Sequence, residues 1–329
     1  MPCTPLPLFQ FNQTARMAPF WHHRLVANRR SDPSRKGFMM TTTCRLAQGL
    51  LGACLALSLM ACAVKPPALS PQQIADIVAS PDRSAADRTN DLRRKPEQML
   101  AFIGVRPGIT ALEVSAGSGY TTELLARAIG STGTVYAQSQ PRNSSRVPPA
   151  PAAPEGASHP APAPDMAPIP TPTSPPRTSA IALAEREKNL RTAGVAVSAI
   201  VPVSQSFDNP VPSALATAQF DLVTLMFNYH DLGFLGVDRA QMNRAIFRAL
   251  KPGGLYVIAD HAGRPGTGIS ESGTLHRIEE TFLRSEIEAV GFKLLAEANF
   301  LRNPSDPRDQ NTPNPPQPKD EFVLKFVKP

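Results

Sequence analysis

The feature that most constrains this chain is the run Thr110-Ala111-Leu112-Glu113-Val114, which passes through Ser115-Ala116-Gly117-Ser118-Gly119-Tyr120 into a helical pattern from Thr121 to Ile129 that stops at Gly130. An apolar strand that ends on an acid, turns through glycines and enters a helix is half of a βαβ unit. Such units commit a chain to a parallel sheet with crossover helices. The downstream sequence keeps that rhythm, predicting strands at Thr134 to Ala137, Val195 to Val201, Phe220 to Phe227 and Leu255 to Ala259. Helices are predicted at Thr178 to Ala193, Arg239 to Leu250 and Thr281 to Val290. Met242, Ile246, Phe247 and Leu250 recur at helical spacing and read as core. Two further β-rich segments, Phe292 to Leu301 and Glu321 to Val327, have no convincing helix between them, so they pair antiparallel or lie apart. The expected fold class is α/β, a mostly parallel seven-stranded sheet with one antiparallel strand near the C-terminus.

Two proline-rich stretches interrupt this pattern. Between Pro141 and Pro176, 13 of 36 residues are proline, a composition that cannot build a core, so 141–177 is expected to be a disordered insertion. Pro304 to Pro318 reads as a shorter loop of the same kind. Neither flank of either stretch holds a complete sheet, so residues 101–329 are expected to form one domain. Residues 62–100 supply a tether and N-terminal helices: Ser70-Pro71 opens one helix, and the charged stretch ending in Met99, Leu100, Phe102 and Ile103 predicts one or two more.

The chemistry gathers at the carboxyl ends of the predicted strands, where open α/β sheets bind ligands. Glycines after the first strand let backbone approach a nucleoside closely, and Glu113 can hold a cationic or hydroxyl-bearing group. The turn is not a dinucleotide fingerprint, because the third glycine of that motif would fall on Thr122. His230 follows the fourth strand, His261 the fifth, and His276 the segment beyond, with Asp231 and Asp260 beside them. That set allows an acid–base pair or a His/Asp metal cluster. No His-x-x-x-His spacing supports the latter, and no metal is expected.

Five elements in order carry a resemblance: GVRPGITALEVSAGSGYTTELLARAIGSTGTVYAQ, FNYHDL, ALKPGGLYVIADHAG, the segment from Gly273 to Asp309, and DEFVLKFVKP. They look like a bacterial family of class I S-adenosylmethionine-dependent methyltransferases, many with signal peptides, over most of residues 87–329. The resemblance implies a Rossmann-like methyltransferase fold with S-adenosylmethionine as cofactor, Ser115 standing where the family has its first glycine. It places Glu113, Gly117 and Gly119 along the methionine end of the cofactor. Asp208 falls at the adenine amino group, and Asn228 where the fourth strand opens toward the methyl group. The ribose carboxylate expected at the end of strand two is replaced by Gln138-Ser139-Gln140, leaving Gln138 or Ser139 as a neutral acceptor. A base is needed only when the acceptor must lose a proton. His230 is the candidate, with Asp231 beside it and His276, next to Arg277, at the acceptor. Asp208 also reads as an ordinary turn residue, and Asn228 to Asp231 as a structural turn.

Met40 to Cys62 reads as a secretory signal (40–61), with residues 1–39 as a patternless upstream extension. Its end, Leu59-Met60-Ala61-Cys62, resembles the lipobox of bacterial lipoproteins, which implies a lipid on Cys62 and a place on the cell envelope facing the periplasm, outer membrane above all. Residues 1–61 carry seven Arg or Lys against Asp32 alone, so their removal takes the net charge from +7 to +1 and leaves no case for nucleic acid as a partner. Cys62 is then the sole cysteine, which excludes disulfides and thiolate chemistry. The reading is a lipoprotein methyltransferase whose acceptor is a small molecule or an envelope component. Its alternatives are a binding protein that has lost or exchanged the cofactor and a cytoplasmic enzyme with an uncleaved leader.

Overall fold

The helices begin where the sequence supplies caps. In the computed structural model, which describes residues 66–141, 178–313 and 315–329, Ser70 starts helix α1 (Pro71–Ala79) through a capping box with Gln73. Ser84 starts α2 (Ala85–Arg94) by accepting from the Asp87 amide. Lys95, in the left-handed region ahead of Pro96, separates α2 from α3 (Pro96–Ile103), as expected where a proline disfavours helical backbone in its predecessor. The upstream extension, the signal, Cys62 and nearly all of the proline-rich insertion lie outside the described residues. Among the described residues no helix is long and apolar enough to cross a membrane.

The alternating region follows as β1 (Thr110–Val114), α4 (Tyr120–Ile129), β2 (Thr134–Ser139), α5 (Ser179–Thr192), β3 (Ala199–Ser204), β4 (Phe220–Met226), α6 (Asp231–Phe234), α7 (Arg239–Ala249), β5 (Leu250–His261), α8 (Glu280–Glu288), β6 (Lys293–Ala298) and β7 (Glu321–Val327). One seven-stranded sheet runs in the order β3-β2-β1-β4-β5-β7-β6. Its neighbours pair parallel as far as β5, and β7 runs antiparallel to both β5 and β6. The fold is therefore the expected one, a mostly parallel Rossmann-like methyltransferase sheet with a single reversed strand.

Period-two alternation along the strands feeds two cores. Ala111, Val135, Ile200, Leu222 and Val257 pack with Leu100, Leu125, Ile129 and Leu183 from α3, α4 and α5. Leu112, Val223, Tyr256 and Phe322 pack on the other side with Met242, Ile246, Leu283 and Ile287 from α7 and α8. The central strands are thus buried on both faces, and their ends are the places left for a ligand.

Two expectations need correction. The third strand starts at Ala199, four residues later than Val195, because the Val195 amide donates to Leu190 O (3.0 Å) and the Ser198 amide to Ala126 O (3.0 Å). Pro202 is tolerated there because β3 is the sheet edge. The loop from Pro304 to Pro318 is stitched where described: Asp306 accepts from the Asp320 amide (2.6 Å) and the Arg308 amide (3.0 Å), and Asp320 pairs with Arg308 (2.7 Å).

Candidate functional site

From β1 the chain works outward to β2 and β3, then returns to lay β4 on the other side of β1 and proceeds to β5. The loops leaving β1 and β4 therefore diverge, opening a crevice at this switch point. Glu113 sits in its floor, in register with Ala137 on one side and Thr224 on the other. The turn 115–119 and the segment 227–231 rise from the same two strands.

Ser115, Gly117 and Gly119 all have left-handed backbone, with φ of 63°, 56° and 84°. For a serine this conformation costs about 1 to 2 kcal/mol. Gln138 offsets it by accepting from the Ser115 amide at 2.9 Å while its own amide nitrogen donates to Gln205 O at 2.7 Å. Gln138 is fully buried and committed to this brace, so of the two neutral ribose acceptors only half-buried Ser139 remains. The two glycines also differ. A Cβ on Gly117 would meet nothing within 4 Å, whereas one on Gly119 would meet Leu183 Cδ2 at 2.8 Å and Arg186 Cδ at 2.9 Å. Gly117 faces open space; Gly119, expected beside the ligand, lets α5 close against the turn, where Arg186 Nε donates to Ser118 O at 2.5 Å.

Glu113 is buried and accepts from the Thr122 hydroxyl. Burial pushes its carboxyl up to about 7, against the lowering effect of hydrogen bonds from Thr122 and Thr121. Helix α2 contributes Arg94, whose guanidinium lies 4.1 Å from the Phe227 ring centroid and 5.8 Å from that of Tyr120. Burial, with repulsion from Arg93, brings it down to about 10. Arg94 makes no hydrogen bond among the described residues. Phe227, left-handed at φ 57° at the end of β4, is an unusual conformation for so bulky a residue and a mark of a constrained site. Arg94 and Phe227 escaped the sequence reading, since an arginine pair ending a charged helix and a phenylalanine ending a strand carry no local signature.

On the β4–β5 side the predicted residues come together. Nδ1 of His230 lies 2.5 Å from Asp260 Oδ1, and the His230 amide donates to Asp260 Oδ2 at 2.7 Å. Nε2 of His230 lies 3.1 Å from Asp231 Oδ1, and the same oxygen lies 2.7 Å from His276 Nδ1. The result is a chain, Asp260–His230–Asp231–His276, running from full burial to a side chain 35 % exposed. Burial opposes charge on His230, but Asp260 and Asp231 overcome it and raise the imidazole to about 9. Burial likewise opposes charge on Asp231, yet His230 and His276 hold it down to about 2. Both ring nitrogens of His230 are thus engaged, and His276 is the imidazole that solvent reaches. Asn228 donates to Asp231 Oδ2 at 2.9 Å, and its buried Oδ1 has no partner.

The remaining candidates are placed less centrally. Asp208 accepts from the Asp238 amide (2.7 Å) and so ties the loop after β3 to the start of α7. His261 stacks 5.7 Å from Phe227, and burial keeps it well below the usual histidine range and so neutral. Its Nδ1 lies 2.9 Å from Glu321 Oε1 without the alignment of a hydrogen bond. Arg277, expected near an acceptor, is instead fully buried and bound to Ala262 O, Gln310 O and Asp306. Facing inward, it anchors the C-terminal loop.

No protein-family model matches the sequence, and comparison with curated proteins returns no match. Among solved structures the chain is similar to a SAM-dependent methyltransferase from Aquifex aeolicus, at 15 % identity and a TM-score of 0.45 over 79 % of this chain and 100 % of that one. It is similar also to an arsenic(III) S-adenosylmethionine methyltransferase from Chlamydomonas reinhardtii, with 15 % identity, a TM-score of 0.45, and 78 % and 73 % of the two chains covered. A third is geranyl diphosphate C-methyltransferase from Streptomyces coelicolor, at 11 % identity and a TM-score of 0.44 over 80 % and 90 %.

Proposed function

We propose that the chain is an S-adenosylmethionine-dependent methyltransferase. The observation that carries the reading is the open turn at Gly117 set beside buried Glu113 at the switch point. Its methionine end would lie along Gly117 with its cationic groups toward Glu113, the ribose at Ser139, and the adenine toward the loop that Asp208 fastens. Asn228, His230, Asp231 and His276 would then face the methyl group and the acceptor. Methyl transfer asks above all for alignment of nucleophile, methyl carbon and departing sulfur, which rigid strand ends provide. The lipobox-like Leu59-Met60-Ala61-Cys62 supports a lipid anchor on the cell envelope, and so a small molecule or envelope component as acceptor.

A second reading, a methyltransferase-fold binding protein without this cofactor, is favoured by two observations. Ser139 lacks the charge that would hold both ribose hydroxyls, and the Arg94 guanidinium already stands near Glu113, where a cationic ligand would go. Calorimetric titration of the purified chain with S-adenosylmethionine and S-adenosylhomocysteine decides between them. Micromolar binding that a Gly117→Arg variant abolishes while staying folded supports the enzyme; no binding by the folded wild type supports the second reading.

A further inference from the structure

In the chain Asp260–His230–Asp231–His276, ligand atoms of three side chains converge at the carboxyl edge of the sheet. Nε2 of His230, whose Nδ1 is given to Asp260, lies 3.1 Å from a carboxylate oxygen. That oxygen, Asp231 Oδ1, already has His276 Nδ1 at 2.7 Å, and the three atoms lie within 4.8 Å of one another. Three ligand atoms gathered this closely can hold a cation between them. Ligands at right angles around an ion at about 2.1 Å stand about 3.0 Å apart, and the separations of 3.1 and 2.7 Å match that edge.

We propose that His230 Nε2, Asp231 Oδ1 and His276 Nδ1 bind a divalent first-row transition-metal ion. Two imidazoles and one carboxylate favour manganese, iron, cobalt, nickel or zinc over magnesium or calcium, which take oxygen ligands. The surroundings are those of a metal site. Asp260 fixes the far nitrogen of His230, and Asn228 fixes the far oxygen of Asp231. Outer partners of this kind orient ligands and raise their basicity. Asp231 and His276 are partly exposed, at 27 % and 35 % of their side chains, which leaves positions on the ion for water or an acceptor oxygen. The unpartnered Asn228 Oδ1 lies beside them. Under the methyltransferase reading, on which this role though not the metal binding rests, the ion takes the place of a histidine base. An acceptor hydroxyl bound to it loses its proton to solvent more readily, and the resulting oxygen anion forms the new bond to the methyl carbon as the carbon–sulfur bond breaks.

The test is calorimetric titration of the purified, chelator-stripped chain with manganese, zinc and magnesium chlorides, with no S-adenosylmethionine present, alongside circular dichroism as a check of folding. Manganese and zinc should bind one per chain and magnesium at least a hundredfold more weakly. His276→Gln and Asp231→Asn should abolish binding, and Asp260→Asn should weaken it about 10- to 100-fold without changing the stoichiometry. A folded wild type that takes up neither ion, or uptake unaltered in His276→Gln, overturns the proposal. Titration of the same samples with S-adenosylhomocysteine separates the two readings: metal uptake without nucleoside binding upholds this site while removing the methyltransferase, and the reverse removes only the metal.

Discussion

Two clusters of charge meet the Gly-rich turn, one on its helical flank and one at the carboxyl edge of the sheet, and they are finished differently. On the flank, Arg127 reaches Glu123 (2.8 Å) and Asp82 (2.5 Å), while Arg186 reaches Asp87 and Glu123 (2.6 Å each) and Ser118 O. No side-chain atom of these five residues is left buried without a partner. A cavity of about 320 Å³ lies among them, and Asp82, Glu123, Arg127 and Arg186 of its lining are paired with one another. At the edge, Glu113 is held near neutrality by burial, Arg94 stacks without a hydrogen bond among the described residues, and Asn228 Oδ1 and His261 Nδ1 are buried without partners. Buried polar groups are ordinarily satisfied. A saturated network is scaffold, and an unsaturated one with shifted titration is where a ligand belongs. The cavity on the flank is therefore not the better candidate.

The comparison breaks most visibly at Arg127. Replacing it with Met leaves buried Glu123 with Arg186 alone and takes the partner from Asp82, and should lower stability by about 3 kcal/mol in urea unfolding, with nucleoside affinity of the folded fraction unchanged. If Arg127→Met instead costs affinity and no stability, the flank is not scaffold.

Glu113 should show the opposite pattern. Its folded-state pKa of about 7 lies above the ordinary 4.5, so the folded protein holds the extra proton between those values and stability falls as pH rises through that window. Above pH 7, Glu113→Gln removes a penalty of up to about 3 kcal/mol. The variant should therefore unfold at higher urea at pH 8 while losing about tenfold or more in S-adenosylmethionine affinity. Wild-type affinity should rise from pH 6 to pH 8, and that of Glu113→Gln should stay flat.

The two glycines sharpen the boundary between the clusters. Gly119→Ala combines left-handed strain with a clash against α5 and should cost about 2 to 4 kcal/mol. Gly117→Ala meets no neighbour and should cost about 1 kcal/mol. Equal losses in thermal unfolding would mean that the turn does not divide the two regions. The smallest effect is expected at Ser139→Asp, which restores a charged ribose acceptor and should tighten S-adenosylmethionine binding about fivefold by calorimetry.

The sheet was legible in the sequence because strand and helix periods differ and the glycines at 117, 119 and 130 punctuate them. β1 is found with the bounds expected, Thr110–Val114. β3 was misplaced because Val195 and Val197 look like strand residues, while the amides of Val195 and Ser198 are taken by helix carbonyls that no local pattern reveals. The site was legible in part for the same reason. His230, Asp231 and Asn228 sit at a strand end that periodicity finds, and His276 arrives 45 residues later by a loop whose path only the folded chain defines. Arg277 shows the converse, a charge that reads as surface and is buried because the C-terminal loop folds over it. Gln138 looked like a substitute for the missing carboxylate until its amide proved to brace Ser115.

The most direct test of the claim that the unsaturated edge is the cofactor site is hydrogen exchange of the purified chain with and without S-adenosylhomocysteine, followed by peptide mass spectrometry. Slowed exchange is predicted in the backbone of 115–119, 139–140, 206–209 and 227–231, with α1, α2 and the outer turns of α5 unchanged. Protection confined to peptides around Asp82, Arg127 and Asn189, which line the flanking cavity, or no change at saturating ligand, would contradict it.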